Sequence, residues 1–270
     1  MGKNIEKASI SVIIPAYNAE KVIARALESV RLQTRLDYIN EIIVINDGSL
    51  DATVAEVERY AQNYPDLTIH LINQENAGVS RARNVGMQNA SGTWIALLDS
   101  DDEWFENKIE RQVAEILQND AIDFIGGNHT PFPVSILGRK IVTLYKASIQ
   151  DICIKMFPQT STVLFKKSIF DEIGGYDESR HYAEDGQYFL KICDAYGYYY
   201  LPEQNVHYDR GKRGFGGSGL SGNIKGMQEG NRLNFKELLD QRKISLPFYI
   251  AITIFKELKY VRRILLSMRS

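Results

Sequence analysis

Over the first hundred residues, short apolar runs alternate with segments of helical spacing. Residues 10–14, 41–45 and 93–98 are almost unbroken Ile, Val, Leu and Ala, and residues 67–72 form a fourth strand-like run. Between them, residues 19–31 place Val22, Ala26, Leu27 and Val30 on one helical face, Asp51 caps a helix to about residue 63, and residues 80–89 read as a third helix. A strand that is apolar at every position has no wet face. The pattern therefore predicts a mostly parallel sheet with helices on both faces.

Beyond residue 105 the alternation loosens. A helix is expected at 106–118, strands at 122–126, 140–145 and 160–165, a helix at 183–196 and a strand at 198–208. Residues 211–222 are half glycine, and two helices follow at about 223–242 and 247–268. This divides the chain into a main α/β domain over 1–210 and a glycine-rich loop with a helical appendage over 211–270.

The chain has 270 residues, 44% hydrophobic and 24% charged, with a net charge of -2. That composition excludes disorder, and the balance supplies no basic field to hold a nucleic acid. Two cysteines make no disulfide framework, so a reducing compartment fits. The first apolar run is too short for a signal peptide. Residues 246–255 reach half of the roughly 20 residues a spanning helix needs. A soluble, cytoplasmic protein is expected. Residues 244–270 depart from the average: Lys256, Lys259, Arg262, Arg263 and Arg269 against Glu257 make this segment net +4. Ala251, Ile254, Phe255, Leu258, Val261, Leu265 and Met268 recur there at helical spacing. Such a helix fits an anionic membrane surface at the inner face of the cell, or packs on the main domain or on a second subunit of a homo-oligomer.

Ligands of open α/β sheets sit beyond the carboxyl ends of the strands. Three strand ends carry polar residues here. Asp99, Asp101 and Asp102 follow the run at 93–98, and like charges at one strand end cost desolvation and repulsion. A divalent cation, Mn or Mg, offsets that cost and leaves coordination positions for phosphate oxygens. One of the three, Asp102, also fits a helix cap. Asn46-Asp-Gly-Ser49 is either a turn or a place where Asp47 accepts from a nucleobase N–H. Tyr17, in Pro15-Ala-Tyr-Asn18, either stacks on a base or packs. Glu184 and Asp185 open a helix. Gly217-Ser-Gly-Leu-Ser-Gly222 matches a dinucleotide fingerprint, yet no strand leads into it. Arg210, Lys212 and Arg213 beside it suit either a lid over a diphosphate or a linker, and His207 is either a metal ligand or packed.

Taken in order, Ser11-Val-Ile-Ile-Pro-Ala-Tyr-Asn18, Asn46-Asp-Gly-Ser49, Asn76-Ala-Gly-Val-Ser-Arg-Ala-Arg-Asn-Val-Gly86 and Leu98-Asp-Ser-Asp-Asp102 resemble glycosyltransferase family 2. The resemblance spans residue 9 to about 210. It implies a GT-A fold, a Rossmann-like mixed and mostly parallel sheet, carrying C-terminal helices here. It also implies a nucleotide-diphosphate sugar donor, UDP-sugar first. By the same resemblance, Pro15, Tyr17, Asn18, Asp47, Arg81, Arg83, Asp99 and Ser100 face the nucleotide sugar, with either Arg81 or Arg83 on its ribose or diphosphate. Asp101, with Asp99, holds the metal. Asp185 is the catalytic base, with Glu184 beside it. Family members that build polymers processively carry a QxxRW motif absent from this sequence, which implies transfer of one sugar per event. The expected activity is inverting transfer to a hydroxyl of a glycan or lipid-linked glycan in bacterial surface polysaccharide synthesis. Two other classes compete. A sugar-phosphate nucleotidyltransferase would open with a glycine-rich basic loop, which Pro15-Ala-Tyr-Asn18 is not. The other is a non-catalytic nucleotide- or sugar-binding module docked by its tail.

Overall fold

The computed structural model describes residues 9–208 and 223–267. Its first half alternates as the apolar pattern predicts: β1 (Ile10–Ala16), α1 (Ile23–Arg31), β2 (Ile39–Asp47), α2 (Thr53–Asn63), β3 (Ile69–Gln74), α3 (Val79–Asn89) and β4 (Trp94–Leu97). There follow β5 (Glu103–Trp104), α4 (Lys108–Gln118), β6 (Phe124–Asn128), β7 (Ser135–Ile136), β8 (Arg139–Lys140), β9 (Tyr145–Lys146), α5 (Ile149–Ile154), β10 (Leu164–Lys166) and α6 (Lys167–Ile173). Last come α7 (Glu184–Ala195), β11 (Tyr198–Gln204), β12 (Val206–His207), α8 (Ile224–Asp240) and α9 (Leu246–Ser267).

Eight strands form one sheet in the order β3-β2-β1-β4-β10-β6-β11-β9. The pairs β3–β2, β2–β1, β1–β4 and β6–β11 are parallel, while β10 and β9 run against their neighbours. Alternate residues of one strand feed two cores. Ile13, Ile43, Ile45, Ile95 and Leu97 pack on the face covered by α3, α7, α8 and α9. Val12, Ile14, Ile42, Val44 and Ala96 pack on the face of α1, α2 and α4. This explains the unbroken apolar runs, because a strand buried on both faces cannot alternate with polar residues.

Several expected boundaries are corrected. The first strand runs through Pro15 to Ala16 instead of closing at Pro15. Its pairing with β4 ends at Ile13, so the missing proline N–H falls where that neighbour no longer asks for it. The first helix begins at Ile23, not residue 19, after a turn. Residues 140–145 and 198–208 each divide into two strands, and residues 160–162 form a 3₁₀ turn before β10. The expected boundary at 210 and the Arg210, Lys212, Arg213 and Gly217–Gly222 readings lie outside the described residues, as do Met268 and Arg269. Helices α8 and α9 share the main core through Phe235, Leu238, Ile244 and Ile252. Both cysteines are free, and burial raises each thiol to about 12.

Candidate active site

The parallel register of β1 with β2 and β4, Ala16 opposite Asn46 and Ile13 opposite Leu97, brings three carboxyl ends to one edge of the sheet. At the first, Pro15 is buried and the Tyr17 ring is 51% exposed, free to meet a ligand. Asn18 binds the neighbouring loop: its side-chain oxygen accepts from Leu50 N–H at 2.8 Å, and its own N–H donates to Ser49 Oγ at 2.9 Å. At the second end Asp47 is buried. Its carboxylate accepts from Gln74 Nε2 (2.6 Å), Ala77 N–H (2.9 Å) and Gly78 N–H (2.9 Å). Asp47 thus fixes the loop that leads into α3. Gly48 has φ +72°, and a Cβ there would meet Asn76 N at 2.7 Å, so the turn requires glycine.

The third end meets α3 and α7 on one buried cation. Arg83, on the inner face of α3, donates from Nη2 to Asp99 Oδ1 at 2.7 Å, and its Nη1 lies 3.7 Å from Glu184 Oε1. Its guanidinium is 5.2 Å from the centre of the Tyr176 ring. The Arg83 side chain is only 6% exposed, yet Nε and Nη1 have no hydrogen-bond partner. Buried donors left unmatched cost about 1–3 kcal/mol each, so Arg83 holds hydrogen-bonding capacity that its protein neighbours leave unused. Arg81 faces elsewhere and pairs with Glu178 at 3.1 Å, half-exposed. Of the two arginines, the structure sets Arg83 against Asp99.

Glu184 and Asp185 are the first two residues of α7, preceded by Ala183 in a left-handed conformation. Burial pushes the Glu184 carboxyl up to about 7, with the Asp185 charge adding to this and Arg83 opposing it. Burial also raises Asp185, against the pull of Arg83. The pair therefore holds a proton near neutral pH, the condition of a general base or its partner.

The three aspartates after β4 have different fates. Asp102 is 1% exposed and accepts from Ser161 Oγ (2.5 Å) and Gln159 Nε2 (3.0 Å). The Ser161 hydroxyl in turn accepts from Asp99 N–H at 3.0 Å, and Trp104 Nε1 donates to Ser161 O at 2.7 Å. Asp102 does not cap a helix as its alternative reading had it: Glu103 and Trp104 form β5, and α4 starts at Lys108. Ser100 is half-buried and Asp101 exposed. Among the described residues, no group of three or more His, Cys, Asp or Glu could hold a metal alone. Asp99 and Asp101 nonetheless offer hard carboxylate oxygens at one strand end, which fits a Mg or Mn ion drawing its other ligands from phosphate. His207 stacks on Phe105 at 4.0 Å and lines a cavity of about 920 Å³ with residues of α1, α2 and β5.

Residues 11–174 match the family described as Glycosyl transferase family 2. The chain belongs to that family. A glycosyltransferase of Rickettsia prowazekii (strain Madrid E) is 32% identical over 216 residues, covering 74% of this chain and 63% of its own length. The chain thus spans less than two thirds of that relative. The UDP-Glc:alpha-D-GlcNAc-diphosphoundecaprenol beta-1,3-glucosyltransferase WfgD of Escherichia coli is 40% identical over 121 residues, 44% of this chain and 45% of WfgD. The mannosyltransferase PcManGT of Pyrobaculum calidifontis, solved with GDP-Man and Mn2+, superposes with a TM-score of 0.70 at 19% identity over 95% of this chain and 70% of that one. At that identity the likeness establishes the fold, the GT-A architecture expected of this family 2 chain.

Sequence reasoning missed the Ser161 hook and the role of Arg83 as a bridge between β4 and α7. The buried hydroxyl run Thr160-Ser-Thr162, set between Pro158 and the apolar Val163-Leu-Phe165, was the available signal for the first.

Proposed function

We propose that the chain is an inverting, non-processive glycosyltransferase of bacterial surface polysaccharide synthesis. It moves one sugar from a nucleotide-diphosphate donor to a hydroxyl of a glycan or lipid-linked glycan, in the cytoplasm at the inner face of the cell membrane. The observation that carries this reading is Arg83: one buried guanidinium lies between Asp99 on the donor side and Glu184 on the acceptor side and keeps two donor nitrogens, Nε and Nη1, without a hydrogen-bond partner. A UDP-sugar is the first donor to test, in keeping with the donor in the name of WfgD. The GDP-Man bound to PcManGT makes a guanosine donor the second.

Tyr17 stacks on the base, and Asp47, with Pro15 and Asn18, holds the loops around it. Arg83 donates its free N–H groups to diphosphate or ribose oxygens, with Arg81 and Ser100 at the rim. A Mg or Mn ion held by Asp99 and Asp101 would supply charge neutralisation to the leaving diphosphate. Asp185 takes the proton from the acceptor hydroxyl as that oxygen forms its bond to the anomeric carbon. The bond from that carbon to the diphosphate oxygen breaks on the opposite side, so the configuration inverts and the nucleoside diphosphate leaves with the electron pair. Glu184, one position earlier, orients a sugar hydroxyl, because neighbouring helix residues point about 100° apart.

Asp185→Asn keeps the side-chain shape and removes the base. Donor binding, followed by calorimetry, should stay within about twofold while transfer to a diphosphate-lipid-linked sugar falls roughly 10²–10⁴-fold. Transfer at the wild-type rate would refute the base assignment.

A further inference from the structure

Helix α9 has two apolar faces. The inner one is ordinary: Ile252 is buried, and Phe248, Tyr249 and Phe255 pack half-buried against the core beside Phe235 and Leu238. The outer one has no cover among the described residues. Leu246, Ile250, Ile254, Leu258, Val261 and Leu265 are each at least 50% exposed. Their spacing of four, four, four, three and four residues sets them in one stripe, roughly 28 Å long at 1.5 Å per residue. A stripe of this length on a folded domain is a contact surface awaiting its partner.

The charge on the rest of the helix says which partner: Lys256, Lys259 and Arg263 follow Ile252 by four, seven and eleven residues and form the polar flank opposite the stripe, as on a helix lying in a membrane interface. Lys256, Lys259, Arg262 and Arg263 lie on α9, and Lys155 stands at the end of α5, against which α9 packs. Arg262 follows Val261 and borders the stripe. Burial lowers the Lys259 ammonium, and the charges of Arg263, Lys155 and Arg262 lower it further. Lys256 is brought to about 8 by burial, then by Lys259 and Arg263. These cations therefore crowd one another within electrostatic reach. The one acid of α9, Glu257, is occupied on the α8 side by Arg232 (2.6 and 2.7 Å) and Gln228 (2.8 Å).

We propose that α9 lies flat on an anionic lipid surface, with the outer stripe at the acyl boundary and the Lys155–Lys259–Arg262–Arg263 cluster at the headgroup phosphates. A second copy of the chain fits less well, because it would bring the same cations and no free acid on α9. The stripe is also purely Leu, Ile and Val, without the Trp, Tyr, Phe or Met anchors that mark protein interfaces. No described helix is long and apolar enough to cross a membrane, so the contact is with the surface. The cationic edge also leads to the acceptor acids. Lys155 precedes Met156, whose Cε lies 3.0 Å from where a Cβ on Gly186 would stand, next to Asp185. A lipid-linked acceptor held at this surface would arrive on the Asp185 side. The docking stands on the α9 surface with Lys155 beside it, not on the transfer chemistry, and survives if the transfer reaction proves different.

The test is co-sedimentation of the full chain with vesicles of phosphatidylglycerol and phosphatidylcholine mixed equally, and with phosphatidylcholine alone. The protein should pellet with the first and not the second. The double variant Ile254→Asp, Leu258→Asp should bind roughly tenfold or more weakly, and Arg262→Glu should lose part of the preference for anionic vesicles. Both change exposed side chains outside the catalytic machinery, so melting curves and donor binding should stay as in the wild type. A chain that never pellets with anionic vesicles overturns the proposal, as does pelleting unchanged in the double variant. A wild-type dimer that the double variant converts to monomer, with no vesicle binding, assigns the stripe to a second copy instead.

Discussion

Position 184 carries a carboxyl whose proton leaves near neutrality. Burial at the start of α7 and the neighbouring Asp185 raise Glu184 to about 7, while Arg83 holds it from rising further. Two adjacent acids titrate as a pair, and the upper step belongs to that pair. Transfer rates should therefore show an inflection near pH 7 in the wild type. In Glu184→Gln, which cannot titrate, the inflection should vanish and leave the lower acid limb. A pH–rate profile at saturating donor measures this; an inflection that persists would assign it to another group. The same shift has a stability sign. The folded chain keeps the Glu184 proton to higher pH than the unfolded chain, so this contribution is complete below about 4.5 and is lost as pH rises through about 7. Melting temperatures of the Gln variant should lack that decline.

At the scale of elements, the aim of these acids depends on how α8 docks. A Cβ at Gly230 would stand 2.4 Å from Tyr182 O and 2.9 Å from the Ala183 Cβ, and one at Gly226 would enter the Tyr182 ring at 2.6 Å. Asn234 Nδ2 donates to Ala183 O at 3.0 Å, while its oxygen accepts from Arg180 Nη1 at 2.7 Å. Helix α8 is thus pressed onto the two residues that precede Glu184. Gly230→Ala must push that segment away. It should cost about 1–3 kcal/mol of stability by overpacking and lower kcat more than donor affinity. Calorimetric donor titration beside a transfer assay separates the two effects; equal loss of both would mean that α8 supports the whole fold and not the acceptor side.

The donor half was readable because each strand is a local apolar run and each motif lies at the end of its strand, as Asp47 ends β2 and Asp99 follows β4. The rest rests on distant partners. Ser161 meets Asp102 across 59 positions and Asp99 across 62, and no periodicity encodes such a pairing. The strand β10 is three residues long and antiparallel, too short to declare its direction. Helix α9 misled in another way. Its apolar positions read as a single stripe, meant either for a membrane surface or for packing, whereas the helix carries one packed face and one open face. Asp102 and Asp101 are neighbours of one residue type, and only the structure separates the acid that hooks Ser161 from the acid that faces solvent.

On the scale of the whole molecule, the site joins two parts of the sheet. Residues 10–99 supply Tyr17, Asp47, Arg83 and Asp99. The later half supplies Ser161 and the α7 acids, and the two meet through Arg83 to Glu184 and Asp99 N–H to Ser161. A ligand that occupies the site only in the folded chain stabilises the whole molecule by linkage, about 2.7 kcal/mol at a hundredfold excess over its Kd. For a chain of this size that is a rise in Tm of roughly 5–10 °C. UDP alone should give part of the rise, and UDP with Mn more. In Asp101→Ala the increment due to Mn should disappear while the UDP part stays, because Asp101 is exposed at the strand end and the residues assigned to the nucleotide, Tyr17 and Arg83, are unchanged. Asp102→Ala should behave in the opposite way. Loss of its bonds to Ser161 and Gln159 lowers Tm without any ligand, by the cost of leaving buried donors unmatched. An Mn increment that survives in Asp101→Ala would remove that residue from the metal site and leave Asp99, already bonded to Arg83, as the remaining carboxylate of the pair.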